Sequence, residues 1–171
     1  IGKKKEKHTP HNLLITLIGG ILVWLGWYGF NVGSAFTFDH IAMISFVNTV
    51  IGASAGAFGW LIFEYILKKT TSLLGLLSGA LSGLVAITPA AGYVSYMSAM
   101  IIAIIGGICC YIVINLIKVK LQYNDALDAF GIHGVGGILG AVFTGVFQSH
   151  QINSAVQNGF IYTADFKIVV I

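Results

Sequence analysis

Asp125-Ala126-Leu127-Asp128-Ala129-Phe130-Gly131-Ile132-His133-Gly134-Val135-Gly136-Gly137 opens an apolar run that continues to Phe147. About 20 predominantly apolar residues are what a helix needs to cross a bilayer. The stretch therefore reads as a membrane span with two carboxylates at its entrance and an imidazole about one and a half turns further in. An ionisable side chain in hydrocarbon is costly, which makes it a functional-site candidate by default. Glycines on both sides of His133 leave room for a neighbouring backbone or a small solute.

The rest of the chain agrees with a membrane reading. Its residues are 57% hydrophobic and 9% charged, with a mean hydropathy of +0.89. Soluble domains carry roughly a quarter charged residues, so the fold class expected is all-α, a polytopic bundle of about five spans. The apolar runs cover about Asn12 to Ser34, His40 to Leu67, Ser72 to Pro89, Gly92 to Ile117 and Ala126 to Phe147. Residues 1–11 read as a basic cytoplasmic loop and residues 12–147 as the transmembrane domain. Residues 148–171 read as an external loop and the start of a further span, apolar from Phe160 onward but broken by Asp165 and Lys167. The chain opens on Ile and stops within Ile168-Val169-Val170-Ile171, so a piece of a longer polypeptide is expected.

Lysines set the orientation. Lys3, Lys4, Lys5 and Lys7 precede the first run, Lys68 and Lys69 follow the second, and Lys118 and Lys120 follow the fourth. The connections at Thr37 to His40, Pro89 to Gly92 and Gln148 to Asn158 carry none. Eight of the nine lysines thus fall on one face, which the positive-inside rule makes cytoplasmic. A missed or invented span would have scattered them. Because they sit in loops rather than on one basic face, nucleic-acid binding is not indicated. Cys109 and Cys110 are adjacent and mid-span, a placement that serves packing rather than stapling. Glycines recur every fourth residue at Gly75, Gly79 and Gly83, at Gly52 and Gly56, and at Gly136 and Gly140, which are stripes that let helices approach. The short third run fits a helix buried in the bundle.

Several side chains in these runs allow two readings. His133 is either a neutral imidazole bridging helices or a pore group that shares protons, since imidazole titrates near neutrality. Its setting in a lipid span, among glycines, favours the second. Asp125 and Asp128 are three apart, on one helix face in the first turn, and serve either as caps or as anchors for cytoplasmic loops. Glu64 is expected to be structural or paired with a lysine. Trp24, Trp27 and Tyr28 fit interface anchors. Phe30 and Ser34, one turn apart, instead fit an apolar plug beneath a small polar site, where an aromatic face and a hydroxyl attract a small cation. Asn31 and Asn48 fit bridges between helices. The histidines share no metal-ligand spacing, and no phosphate loop, nucleophile elbow or redox motif is present, so neither an enzyme nor a cofactor is expected.

Four runs then occur in a telling order. They are Gly26-Trp27-Tyr28-Gly29-Phe30-Asn31-Val32-Gly33-Ser34, Phe46-Val47-Asn48-Thr49, Gly83 to Tyr93 with Thr88-Pro89 inside it, and Asp128-Ala129-Phe130-Gly131-Ile132-His133-Gly134-Val135-Gly136-Gly137. Together they resemble the second half of an Amt/Mep-type ammonium transporter, from Pro10 to about Phe147. The resemblance implies spans six to ten and the start of eleven, in a fold whose two five-span halves form an inverted repeat around a pore. It implies that His133 is the second of two pore histidines and that Phe30 is one of two stacked phenylalanines closing the outer mouth. Ser34 would supply the hydroxyl of the external ammonium site, and Asp128 the aspartate of the span-ten motif. Trp27 and Thr88 match pore-side positions.

The implied activity is capture of ammonium, its passage as ammonia through an apolar lumen, and exclusion of potassium, which has no proton to lose. The implied setting is a homotrimer in the cell (plasma) membrane. A PII-type signal protein would bind a C-terminal tail that this sequence does not contain. The partner histidine, the other phenylalanine and the recruitment-site tryptophan lie in spans not present here. An Amt-like ammonium sensor domain and a non-transporting remnant are the alternatives.

Overall fold

The computed structural model describes residues 10–170. Lys3, Lys4, Lys5 and Lys7, the bulk of the expected basic loop, lie outside the described residues. The described residues contain no strand, and five of their helices are long and apolar enough to cross a membrane. These are α1 (Leu13–Gly33), α2 (His40–Lys68), α3 (Leu73–Ala90), α4 (Tyr96–Leu121) and α5 (Phe130–Phe147).

Polar side chains just ahead of the apolar runs start the helices by accepting backbone N–H groups that have no partner in the first turn. Asn12 accepts from Ile15 N at 3.2 Å, Ser72 Oγ from Gly75 N at 2.9 Å, and Ser95 Oγ from Ser98 N at 3.2 Å. Asp39 accepts from Ile41 N at 2.9 Å and Ala42 N at 3.1 Å. α2 stops at Lys69, which is left-handed at φ 58°. α3 tightens into a 3₁₀ turn over Thr88–Ala90, where Pro89 lacks the N–H a further helical turn would need.

α2, α3 and α4 form the centre, and their glycines set how closely they cross. A methyl on Gly83 would collide with the Gly52 carbonyl, and one on Gly107 with the Gly56 carbonyl. Gly56 therefore marks a point where all three helices touch, with no room for a side chain. α3 is the most enclosed, with 61% of its apolar window buried, against 0% for α1. Towards the lysine-bearing end, Trp60 and Phe63 pack edge-on against the buried Tyr111 at 5.2 Å and 5.5 Å. There Glu64, itself buried, accepts from Lys68 Nζ at 3.4 Å and from Ser72 Oγ at 3.2 Å. Asn48 ties α2 to the α3–α4 connection through Ala91 O at 2.8 Å and Val94 O at 2.9 Å.

The spans differ from the sequence expectation mainly at α4 and α5. α4 starts at Tyr96, four residues late, because Ser95 rather than Gly92 caps it, and runs on to Leu121 through a wide π-type turn over Val113–Ile117. α5 starts at Phe130 with another π-type turn, Phe130–Gly134. Asp125 and Asp128 therefore precede the helix instead of sharing a face in its first turn, and Asp128 is left-handed at φ 56°. The final segment folds as two single turns, α6 (Phe160–Thr163) and α7 (Lys167–Val170). They are separated by Ala164 at φ 55° and by Asp165, whose Oδ1 accepts from Lys167 N at 2.9 Å.

Candidate functional site

α1 brings its aromatic end against α3 and α5. Trp27 donates Nε1–H to Thr88 Oγ1 at 2.8 Å, and its ring stacks on the His133 imidazole with centroids 6.0 Å apart and planes 21° apart. The same indole meets Phe30 edge-on at 6.5 Å. Thr88 donates its own proton to Leu84 O at 2.7 Å, so its oxygen is fixed as the acceptor for Trp27. Residues from three separate helices, Trp27 and Phe30 with Thr88 and His133, thus form one assembly. His133 lies on an exposed face, and among the described residues no hydrogen bond engages its nitrogens. Trp24 and Tyr28, by contrast, bond each other at 3.1 Å, and Tyr28 packs on Phe46 at 5.3 Å.

Phe30 separates two spaces. Above it, at the end opposite Lys68 and Lys118, a cavity of about 270 Å³ is lined by Ser34, Asn31, Asp39, Thr88 and Tyr93 as well as Phe30. On its other side, an open apolar groove of about 210 Å³ on α1 is lined by Val23, Gly26, Trp27 and Phe30. Ser34 caps α1 and donates Oγ–H to Phe30 O at 2.7 Å, leaving only lone pairs to offer. Asn31 shows a related polarity. Thr49 Oγ1 donates to Ser45 O at 2.6 Å, so it receives the Asn31 Nδ2 proton at 3.0 Å as an acceptor. That fixes the amide orientation and leaves Asn31 Oδ1 buried without a partner. Asn31 does bridge α1 to α2; the unpaired oxygen beside the cavity is the part that residue spacing does not reveal.

Asp125 and Asp128 are not in this assembly. They sit at the lysine-bearing end, where Lys118 Nζ pairs with Asp128 Oδ1 at 2.5 Å and also donates to Asp125 O. The Asp125 carboxylate accepts from Phe130 N at 3.3 Å and Gly131 N at 3.1 Å, capping α5 from outside it. Tyr123 stands beside them, its hydroxyl pushed up from the usual phenol range by burial and then by the two carboxylates. Among the described residues, no group of three metal-ligating side chains converges. Asp39, Ser45 and Asn153 also line the outer cavity without belonging to any of the motif runs; an aspartate just before an apolar run was the available signal for Asp39.

The profile of the Ammonium Transporter Family matches residues 1–170. The chain is 50% identical over 164 residues to an ammonium transporter of Bacillus subtilis, covering 95% of this chain and 41% of that protein. It is 41% identical over 144 residues to ammonium transporter Amt1 of Archaeoglobus fulgidus, covering 84% of this chain and 36% of that one. Among solved structures, Saccharomyces cerevisiae Mep2 superposes with a TM-score of 0.88 at 34% identity, over 95% of this chain and 37% of that one. A structure named Sensor Amt Protein superposes at 0.82 and 30% identity, over 94% and 39%. The chain therefore spans about two fifths of the length of these relatives, whose names are those of transporters and a sensor rather than enzymes. With five membrane-capable helices it is an integral membrane protein. The chain belongs to the ammonium transporter family.

Proposed function

We propose that this chain supplies one wall of an ammonium-conducting pore, as the second half of a longer transporter. The observation that carries the reading is the Trp27–His133 stack with Phe30 above it: an imidazole on an open, otherwise apolar face, reached from a polar cavity past one aromatic ring. Ser34 receives ammonium through its lone pairs, and Phe30 screens the passage. His133 then meets ammonia in a lumen where a bare cation is disfavoured by several kcal/mol. Potassium, carrying no removable proton, stays out. Trp27 and Thr88 position the imidazole face. Asp128 and Asp125 hold the cytoplasmic entrance of α5 in place and do not touch the solute.

The remaining wall comes from spans outside this sequence, and the assembled protein works as a homotrimer in the plasma membrane. A C-terminal tail beyond this sequence is the contact for a PII-type signal protein. The similarity to Sensor Amt Protein supports a second reading, in which the same membrane domain reports ammonium to a signalling domain. The intact mass of the native membrane protein that contains this sequence tests the pore reading. A mass well above 18.2 kDa supplies the missing wall, whereas 18.2 kDa leaves the pore open on one side and contradicts it.

A further inference from the structure

The outer cavity holds a fixed negative charge to which the pore reading assigns no role. Asp39 shares its wall with Ser34, Asn31 and Phe30. Its Oδ1 accepts from Ile41 N and Ala42 N, and its Oδ2 from the Thr37 hydroxyl at 2.8 Å. These donors hold the carboxylate at one place on the rim. The Thr37 hydrogen bond first, with the Ala42 and Ile41 amides, keeps its pKa below the usual carboxylate range, so it stays ionised. A second, independent feature points the same way. Asn31, only 5% exposed, lines the same cavity and carries a buried amide oxygen without a donor, which is unfavourable. Among the described residues, no lysine lines the cavity. The wall therefore combines a fixed anion, an unpaired acceptor and the Ser34 lone pairs, which suits a small cation rich in N–H donors.

We infer that Asp39 is a cation-recruiting carboxylate of the outer cavity, raising the local concentration of ammonium at Ser34 and Asn31 and so setting part of the apparent affinity. The inference rests on the pore reading above and adds to it a residue that no pore motif contains. In water, a unit charge several ångströms away enriches a monovalent cation about 2- to 5-fold, and screening at high salt removes most of that gain.

Substitution separates charge from capping. Asp39→Asn keeps an N-cap of comparable quality and deletes the charge, whereas Asp39→Ala deletes both. Uptake of methylammonium by the full-length protein in proteoliposomes is the readout, at low and at about 0.5 M ionic strength. For Asp39→Asn, half-saturation rises about 2- to 5-fold at low salt and returns to wild type at high salt, with the maximal rate unchanged. Asp39→Ala adds a lower melting temperature. An Asp39→Asn protein with wild-type half-saturation at low salt overturns the inference and leaves Asp39 as a cap alone. A wild-type protein that takes up no methylammonium or ammonium overturns the pore reading itself, which is a different result.

Discussion

At Trp27 the single indole donor is committed to Thr88 and one ring face to His133, so the side chain fixes the distance between α3 and α5 where the two border the open face. Trp27→Phe keeps an aromatic face but leaves Thr88 Oγ1 without its donor. A melting experiment on the purified protein should show a loss of about 1 kcal/mol, the worth of one such hydrogen bond. At the other end of α5, Asp128 is held by Lys118. Asp128→Asn weakens that tie, and faster hydrogen exchange across residues 122–130 is expected, with exchange in α2 unchanged. The sequence alone marked Ser34 and His133 as exceptional, because each departs from what an apolar helix needs, and Phe30 by its place one turn before Ser34. It did not reveal the Trp27–Thr88 bond, which joins residues 61 apart, nor the unpaired Asn31 oxygen, which depends on the direction of the Thr49 proton. The two aspartates were misplaced for a related reason: three-residue spacing implies a shared face only if the helix has begun, and the left-handed Asp128 delays it.

At the scale of helices, glycine stripes carried most of the usable information. Spacing of four between Gly75, Gly79 and Gly83 predicted a close packing face, and Gly83 meets Gly52 and Gly56 on α2. Gly83→Ala drives a methyl into the Gly52 carbonyl, so the melting temperature should fall, by an amount equivalent to about 1–3 kcal/mol. Helix starts were legible at Asn12, Asp39 and Ser72, where a single polar residue stands before the run. They were not legible at α5, where the cap comes from Asp125, five residues ahead of Phe130. The Asp39 cap also carries a pH signature. Its folded pKa is lowered, so the stabilisation is present above the unfolded value near 3.8 and is lost as pH falls through the folded value. Acid melting curves should therefore steepen below about pH 4 in the wild type, and less so in Asp39→Asn.

Across the whole molecule, α1 leaves Leu14, Ile15, Ile18, Leu22 and Leu25 more than half exposed, and His133 opens onto an uncovered face. Hydropathy made the five-helix character of the chain readable, because it scales with segment length rather than with contacts. What covers that face was not readable, since a packing face in a membrane is as apolar as a lipid-facing one. The most direct test of the account is ammonium and potassium flux through the full-length protein in proteoliposomes, wild type against His133→Ala. Wild type should pass ammonium and exclude potassium, and His133→Ala should lose ammonium flux at least about tenfold or admit potassium, with assembly intact. Unchanged flux and unchanged selectivity in His133→Ala would contradict the account.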